Sequence, residues 1–139
     1  RVAASDLRLA QLEVKRGIYP VGGATVRMFE EIGWSNAMRY ILTGDEMSAA
    51  EAYRLGLVQE VTEPGQQLDK AIEIATRIAK AAPLAVQTAL RSARIARVDG
   101  ARKALDLLLP DIQPLMKSQD AAEGVQAFIE RREAVFKGC

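Results

Sequence analysis

Gln11-Leu12-Glu13-Val14-Lys15-Arg16-Gly17-Ile18-Tyr19-Pro20-Val21-Gly22-Gly23-Ala24-Thr25-Val26-Arg27 joins an extended run to a helix through a glycine- and proline-rich loop. On its N-terminal side, Leu7 to Val14 alternate loosely between apolar and polar residues, which predicts a short strand with Glu13 near its end. Gly17, Pro20, Gly22 and Gly23 mark the loop. Thr25 suits the N-cap of a short helix that ends near Gly33.

Downstream the chain turns helical. Ser35 is placed to cap a helix through Ile41 and Leu42, stopped by Thr43-Gly44. Ser48 and Glu51 have the spacing of a capping box, and the helix they open ends at Gly56. Leu57 to Val61 read as extended, and Pro64-Gly65 as a turn. Leu68, Ile72, Ala75, Ile78 and Ala79 recur at helical spacing and predict a helix over 66–81. Pro83 suits the first turn of the next helix, which Asp99-Gly100 breaks. Residues 101–117 are helical in pattern, but Pro110 and Pro114 predict a kink or two short pieces, because an interior proline costs ~3 kcal/mol. Asp120 and Glu123 form a second capping-box pattern opening a last helix to about Val135. One or two short strands cannot stand as an independent sheet, so they need partners from elsewhere. The opening Arg1-Val2-Ala3-Ala4, without an initiator methionine, points the same way, to chain upstream.

Composition limits the chemistry. With 139 residues, 49% apolar and 27% charged, the chain reads as a soluble globular piece with room for one core. Nineteen basic against 18 acidic residues leave a net charge of +1, which offers no electrostatic case for nucleic acid or an anionic membrane as partner. The basic run Arg91, Arg94, Arg97, Arg102 and Lys103 has no interleaved aromatics and reads as a solvated helix face. No apolar run approaches the length of a bilayer span. A single cysteine, Cys139, forbids an internal disulfide and suits a reducing compartment, here taken as the cytoplasm. With no histidine, the chain has no Ser-His-Asp triad or Cys-His dyad, and no metal site is expected. Carboxylates, backbone amides, Lys, Arg and Tyr remain to do the chemistry. Trp34 and Tyr40, beside Met38 and Ile41, suit the core or a subunit contact.

Three segments, in order and at matching spacing, resemble the crotonase family of enoyl-CoA hydratases and isomerases. The first is the quoted stretch from Leu12 to Arg27, close to a family pattern P-E-(V/I)-x-x-G-(I/L)-x-P-x-x-G-G-T-x-R. The second comprises Leu42-Thr43-Gly44, Ser48-Ala49-Ala50-Glu51-Ala52 and Gly56-Leu57-Val58. The third comprises Ser118-Gln119-Asp120, Glu123-Gly124, Ala127-Phe128, Arg131-Arg132 and Phe136-Lys137-Gly138. Leu12 departs from the family's proline and Ala24 from the second glycine of its pair.

The resemblance covers the C-terminal half of a family subunit. It implies an α/β fold: the C-terminal part of a crotonase-like β/α spiral, predominantly helical with one or two short strands. Residues 1–65 would complete the spiral core and carry the catalytic loop; residues 66–139 would form a helical trimerisation region. The function implied is that of an enoyl-CoA hydratase, a lyase of fatty acid metabolism that adds water to a 2-enoyl-CoA thioester. Isomerisation or other acyl-CoA chemistry is the near alternative, and a non-catalytic oligomerisation or CoA-binding module the distant one.

By resemblance Glu13 is the general acid/base, and both oxyanion amides lie upstream of Arg1. A carboxyl group walled by Leu9, Leu12, Val14 and Ile18 suits proton exchange. Lys15 and Arg16 are also close enough to pair with it and leave it an ordinary surface glutamate. Pro20, Gly22 and Gly23 are assigned to substrate binding. The glycine pair admits two readings, a phosphate cradle and a packing turn that floors the pocket, and the second is preferred. Phe128 and Arg131, one turn apart, would share a helix face. By resemblance they meet the adenine end of CoA, often from a neighbouring subunit; otherwise Phe128 is core and Arg131 solvated. No separate cofactor is implied, since CoA belongs to the substrate. The partners implied are an acyl-CoA and copies of the same chain in a trimer or hexamer.

Overall fold

Four short strands, rather than one or two, form two separate pairs in the computed structural model, which describes residues 1–139. β1 (Val2–Ala4) runs parallel to β4 (Glu60–Thr62), with Val2 opposite Glu60. β2 (Arg8–Leu9) runs antiparallel to β3 (Met47–Ser48), with Leu9 opposite Met47. The chain divides into two units, Arg1–Glu73 and Ile74–Cys139, and α4 (Gln67–Ala79) bridges the division.

In the first unit the strand expected to reach Val14 stops at Leu9. β3 supplies only two partner residues, and the chain beyond finds no ladder to join. Leu12 adopts a right-handed helical conformation, and Glu13–Arg16 wind into a 3₁₀ turn. Its hydrogen bonds are local: the Lys15 amide donates to the Leu12 carbonyl at 3.1 Å. Gly17 closes it with φ 77°, and the Ile18 amide donates back to the Glu13 carbonyl at 3.1 Å. Glu13 therefore opens a helical turn and does not sit at a strand end.

α1 (Ala24–Ile32) begins after Gly23, one residue before the expected Thr25 cap, and α2 (Trp34–Thr43) begins after Gly33, which leaves Ser35 inside the helix. α3 (Ala49–Arg54) starts as expected, with Ser48 Oγ accepting the Glu51 amide at 3.2 Å. Ala37, Ala49 and Ala52 are almost wholly buried among Ala3, Ile32, Tyr40, Ile41, Met47 and Val58. Small side chains at Ala49 and Ala52 let α3 pack closely on β3 and β4.

The second unit is helical: α5 (Pro83–Val98), α6 (Ala101–Met116) and α7 (Gln119–Glu130). Pro83 opens α5 as expected. α6 runs continuously through Pro110 and Pro114, where a kink or break was expected. Each proline removes only its own N–H, and packing of α6 on α5, with Arg91 paired to Asp111 at 2.8 Å, holds the helix together. Lys103 pairs with Asp99 at 3.1 Å, and all five cations of the basic run are exposed.

α7 is capped by Ser118, whose Oγ accepts the Ala121 amide at 3.0 Å; Asp120 does not cap it. The helix ends at Glu130, short of Val135, because the tail folds back over it. Asp120 is buried and accepts the amides of Lys137 at 2.7 Å and Gly138 at 2.8 Å. Glu123 accepts both Nη atoms of Arg132, at 2.6 and 2.9 Å, and the Val135 amide at 2.8 Å. The Arg132 hydrogen bonds, then the Val135 amide, hold the Glu123 carboxyl down at about 2 against an ordinary 4.5. A carboxylate whose folded value is depressed stabilises the fold above its unfolded value, and that contribution is lost as pH falls from about 4.5 through about 2. Acid titration of the tail amides is therefore expected to show release of residues 132–135 over that interval, and Glu123→Gln should abolish the step.

Gly124 lies inside α7, with the Phe136 ring 3.7 Å from where a Cβ would sit. That is an ordinary contact distance, and the backbone there is helical. Gly124→Ala is therefore expected to stabilise the protein by about 0.5–1 kcal/mol, read as a higher midpoint in urea with an unchanged slope.

Candidate active site

A cleft of about 530 Å³ opens in the first unit. Its walls come from the run Leu9, Ala10, Gln11 and Glu13, from the Gly22-Gly23 turn, from one face of α1, and from Tyr40, Asp45, Met47 and Leu57. Ala24, Arg27, Met28 and Glu31 recur at i, i+3, i+4 and i+7, so a single helix face lines it. That spacing is legible in the sequence, where Ala24 and Arg27 stand out only as parts of the family motif and Met28 and Glu31 not at all.

Glu13 sits in this cleft, half-buried, and its Oε2 is shielded from solvent with no hydrogen-bond partner. It makes no ion pair with Lys15 or Arg16. Of the apolar walls expected around it, only Leu9 lines the cleft; Leu12 and Ile18 are exposed. Met28, Met47, Leu57 and Tyr40 take that role, brought there from α1, β3 and α2 and the segment after α3.

Tyr40, taken from sequence as a core or contact residue, is buried and also borders the cleft. Its hydroxyl donates to Glu51 Oε1 at 3.2 Å. Burial first, then the Glu51 charge, pushes the phenol above its ordinary value, so it stays a neutral donor. Arg54 grips both Glu51 oxygens at 2.7 Å, and these bonds hold the Glu51 carboxyl down at about 2.

Gly22 and Gly23 form the rim. The Gly22 carbonyl accepts Arg27 Nη2 at 2.5 Å, and a Cβ on Gly23 would lie 2.5 Å from that same nitrogen. The guanidinium lies folded on the turn. Pro20 is buried but does not line the cleft. Phe128 and Arg131 belong to the other unit. Phe128 is 86% exposed, which removes it from the core, and Arg131 is the C-cap of α7, left-handed at φ 55°. Arg131 therefore leaves the helix, and the two do not share a helix face as the spacing implied.

The whole length, residues 1–139, matches the family described as enoyl-CoA hydratase/isomerase. The chain belongs to the enoyl-CoA hydratase/isomerase family. It is 37% identical over 137 residues to the enoyl-CoA hydratase EchA19 of Mycobacterium tuberculosis, covering 99% of this chain and 52% of that protein. It is 33% identical over 142 residues to a carnitinyl-CoA dehydratase of Salmonella agona, covering 99% of this chain and 54% of the other. The crystal structure of a probable enoyl-CoA hydratase/isomerase from Mycobacterium abscessus superposes with a TM-score of 0.94 at 49% identity, covering 99% of this chain and 54% of that one. The chain thus spans about half the length of the curated relatives it matches. The crotonase fold of this hydratase/isomerase-family chain follows from that superposition, and the strand pairs and helical run described above are part of it.

Proposed function

We propose that the intact protein is an enoyl-CoA hydratase in which Glu13 exchanges the proton. The observation that carries this reading is the buried, unpartnered Oε2 of Glu13 on the wall of a largely apolar cleft. Buried polar atoms are almost always hydrogen-bonded, and an exception on a cleft wall suits a group that meets a reactant there. The names of the relatives, which act on acyl-CoA thioesters, give the substrate class.

In hydration, the oxygen of water bonds to the β-carbon of the enoyl thioester and one water O–H bond breaks. The π electrons move onto the thioester carbonyl as an enolate, and a proton then bonds to the α-carbon. A carboxylate reached by both water and the α-carbon takes and returns that proton. In isomerisation the same group removes a proton beside the thioester and returns it further along the chain, and no water is consumed. Gly22 and Gly23 are assigned to shaping the acyl site, and the exposed Phe128 and Arg131 to the adenine end of a CoA held by a neighbouring subunit. A homotrimer or hexamer is proposed from the apolar side chains exposed on α6 and α7, among them Leu105, Leu109, Met116 and Ile129.

The test is a spectrophotometric panel of short and long 2-enoyl-CoA thioesters with the intact protein that carries this chain. Loss of conjugated enoyl absorbance, with label from isotopic water in the product, is the expected result. Double-bond migration without label would assign it to isomerases, and no turnover of any thioester would leave the non-catalytic module.

A further inference from the structure

We infer that Gly44 and the aliphatic stem of Lys15 form a seat that sets the position of Glu13, so that both are positioning residues. The inference rests on the role proposed for Glu13.

The 3₁₀ turn that opens with Glu13 packs against α2. At the C-terminal end of α2, Gly44 lies against this segment. Gly44 is buried and left-handed at φ 63°, and its amide donates to the Tyr40 carbonyl at 3.0 Å. A Cβ on Gly44 would lie 3.0 Å from Lys15 Cε, 3.2 Å from Lys15 Cδ and 3.1 Å from the Gln11 carbonyl oxygen. Two of these neighbours are a flexible stem that can shift. The third is backbone two residues before Glu13, which gives less readily than a side chain. Gln11, Glu13 and Asp45 all line the cleft, so the residues on both sides of this contact belong to its wall.

The sequence offered Lys15 as a charge to neutralise Glu13. The structure gives its side chain a different task. Its methylene stem covers Gly44 at the C-terminal end of α2, where a cation is also favoured by the helix dipole, and no ion pair joins it to Glu13. The function of the lysine in this arrangement is length and packing, and its charge is dispensable to the chemistry. Misplacement of a reacting group by a fraction of its contact distance lowers turnover without removing the substrate site.

Steady-state kinetics of four variants in the intact protein test this. Lys15→Ala and Gly44→Ala are expected to lower kcat by about ten- to a hundredfold with KM within about twofold. Lys15→Met keeps the stem and loses the charge, and is expected to restore kcat to within about threefold of the parent. Glu13→Gln separates the two levels of the argument. If it is inactive while Lys15→Ala keeps kcat within about twofold, the seat is overturned alone. If Lys15→Met is as impaired as Lys15→Ala, the charge matters and the seat is likewise overturned. If Glu13→Gln stays active, the functional reading falls and the seat with it. The Lys15 pair decides the matter even if Gly44→Ala does not fold.

Discussion

Glu13→Gln is expected to lower kcat for enoyl-CoA hydration in the intact protein by about 10²–10⁴-fold, the range supplied by a positioned general acid/base. The substitution keeps the shape of the side chain and removes its capacity to hold or give up a proton. KM should change little, because the carboxylate acts on the reacting atoms and contributes little to holding the thioester. Stability supplies a second, independent reading. A carboxylate oxygen that is shielded from water and lacks a partner costs about 1–3 kcal/mol of desolvation. A neutral amide in the same place costs less. The melting temperature of Glu13→Gln should therefore equal or exceed that of the parent. A dead enzyme with an undiminished fold would mark Glu13 as functional. Turnover within about twofold of the parent would remove it from the chemistry, and a drop in stability above about 1 kcal/mol would assign it a structural task.

Asp120→Ala is expected to destabilise the second unit by about 2–4 kcal/mol, the largest stability effect anticipated for a single side chain here. Asp120 is the one charged residue in the buried set, and each of its oxygens accepts a backbone amide, at 2.7 and 2.8 Å. It also sits in the first turn of α7, where the helix dipole favours an anion. Its removal leaves the amides of Lys137 and Gly138 without their acceptors and frees the tail that returns over α7. Urea denaturation should give the loss of stability. Hydrogen exchange should show Lys137 and Gly138 losing protection while the α5 and α6 amides keep theirs until global unfolding. Retained protection at the two tail amides would show that the carboxylate does not hold the tail.

The legible part of this structure is its local punctuation. The capping serine at position 48, the proline that opens α5 and the glycine after α2 each act through their nearest neighbours, so residue type and spacing suffice to place them. Asp120 and Glu123 show where such reasoning stops. Their spacing fits a capping box, yet their side chains are claimed by backbone and by Arg132 from far along the chain, and Ser118 takes the cap. The extended pattern around Glu13 failed for a similar reason. A strand needs a partner of its own length, and β3 is only two residues long, so the chain turned to local hydrogen bonds.

For the site, residue identity pointed to Glu13, to the Gly22-Gly23 turn and to the family that holds them. The surroundings were not in the local pattern. Met28, Tyr40 and Met47 reach the cleft from three elements, and only packing brings them together. The sequence by itself determined which carboxylate to watch, where α3 and α5 begin and what chemistry the chain resembles, because those depend on residues a few positions apart. Tertiary structure alone decided that one oxygen of that carboxylate is shielded and unpaired beside a cleft, that Lys15 packs on Gly44, and that the tail closes on Asp120. Those outcomes depend on which distant surfaces exclude water from a given atom, and burial belongs to the assembled fold.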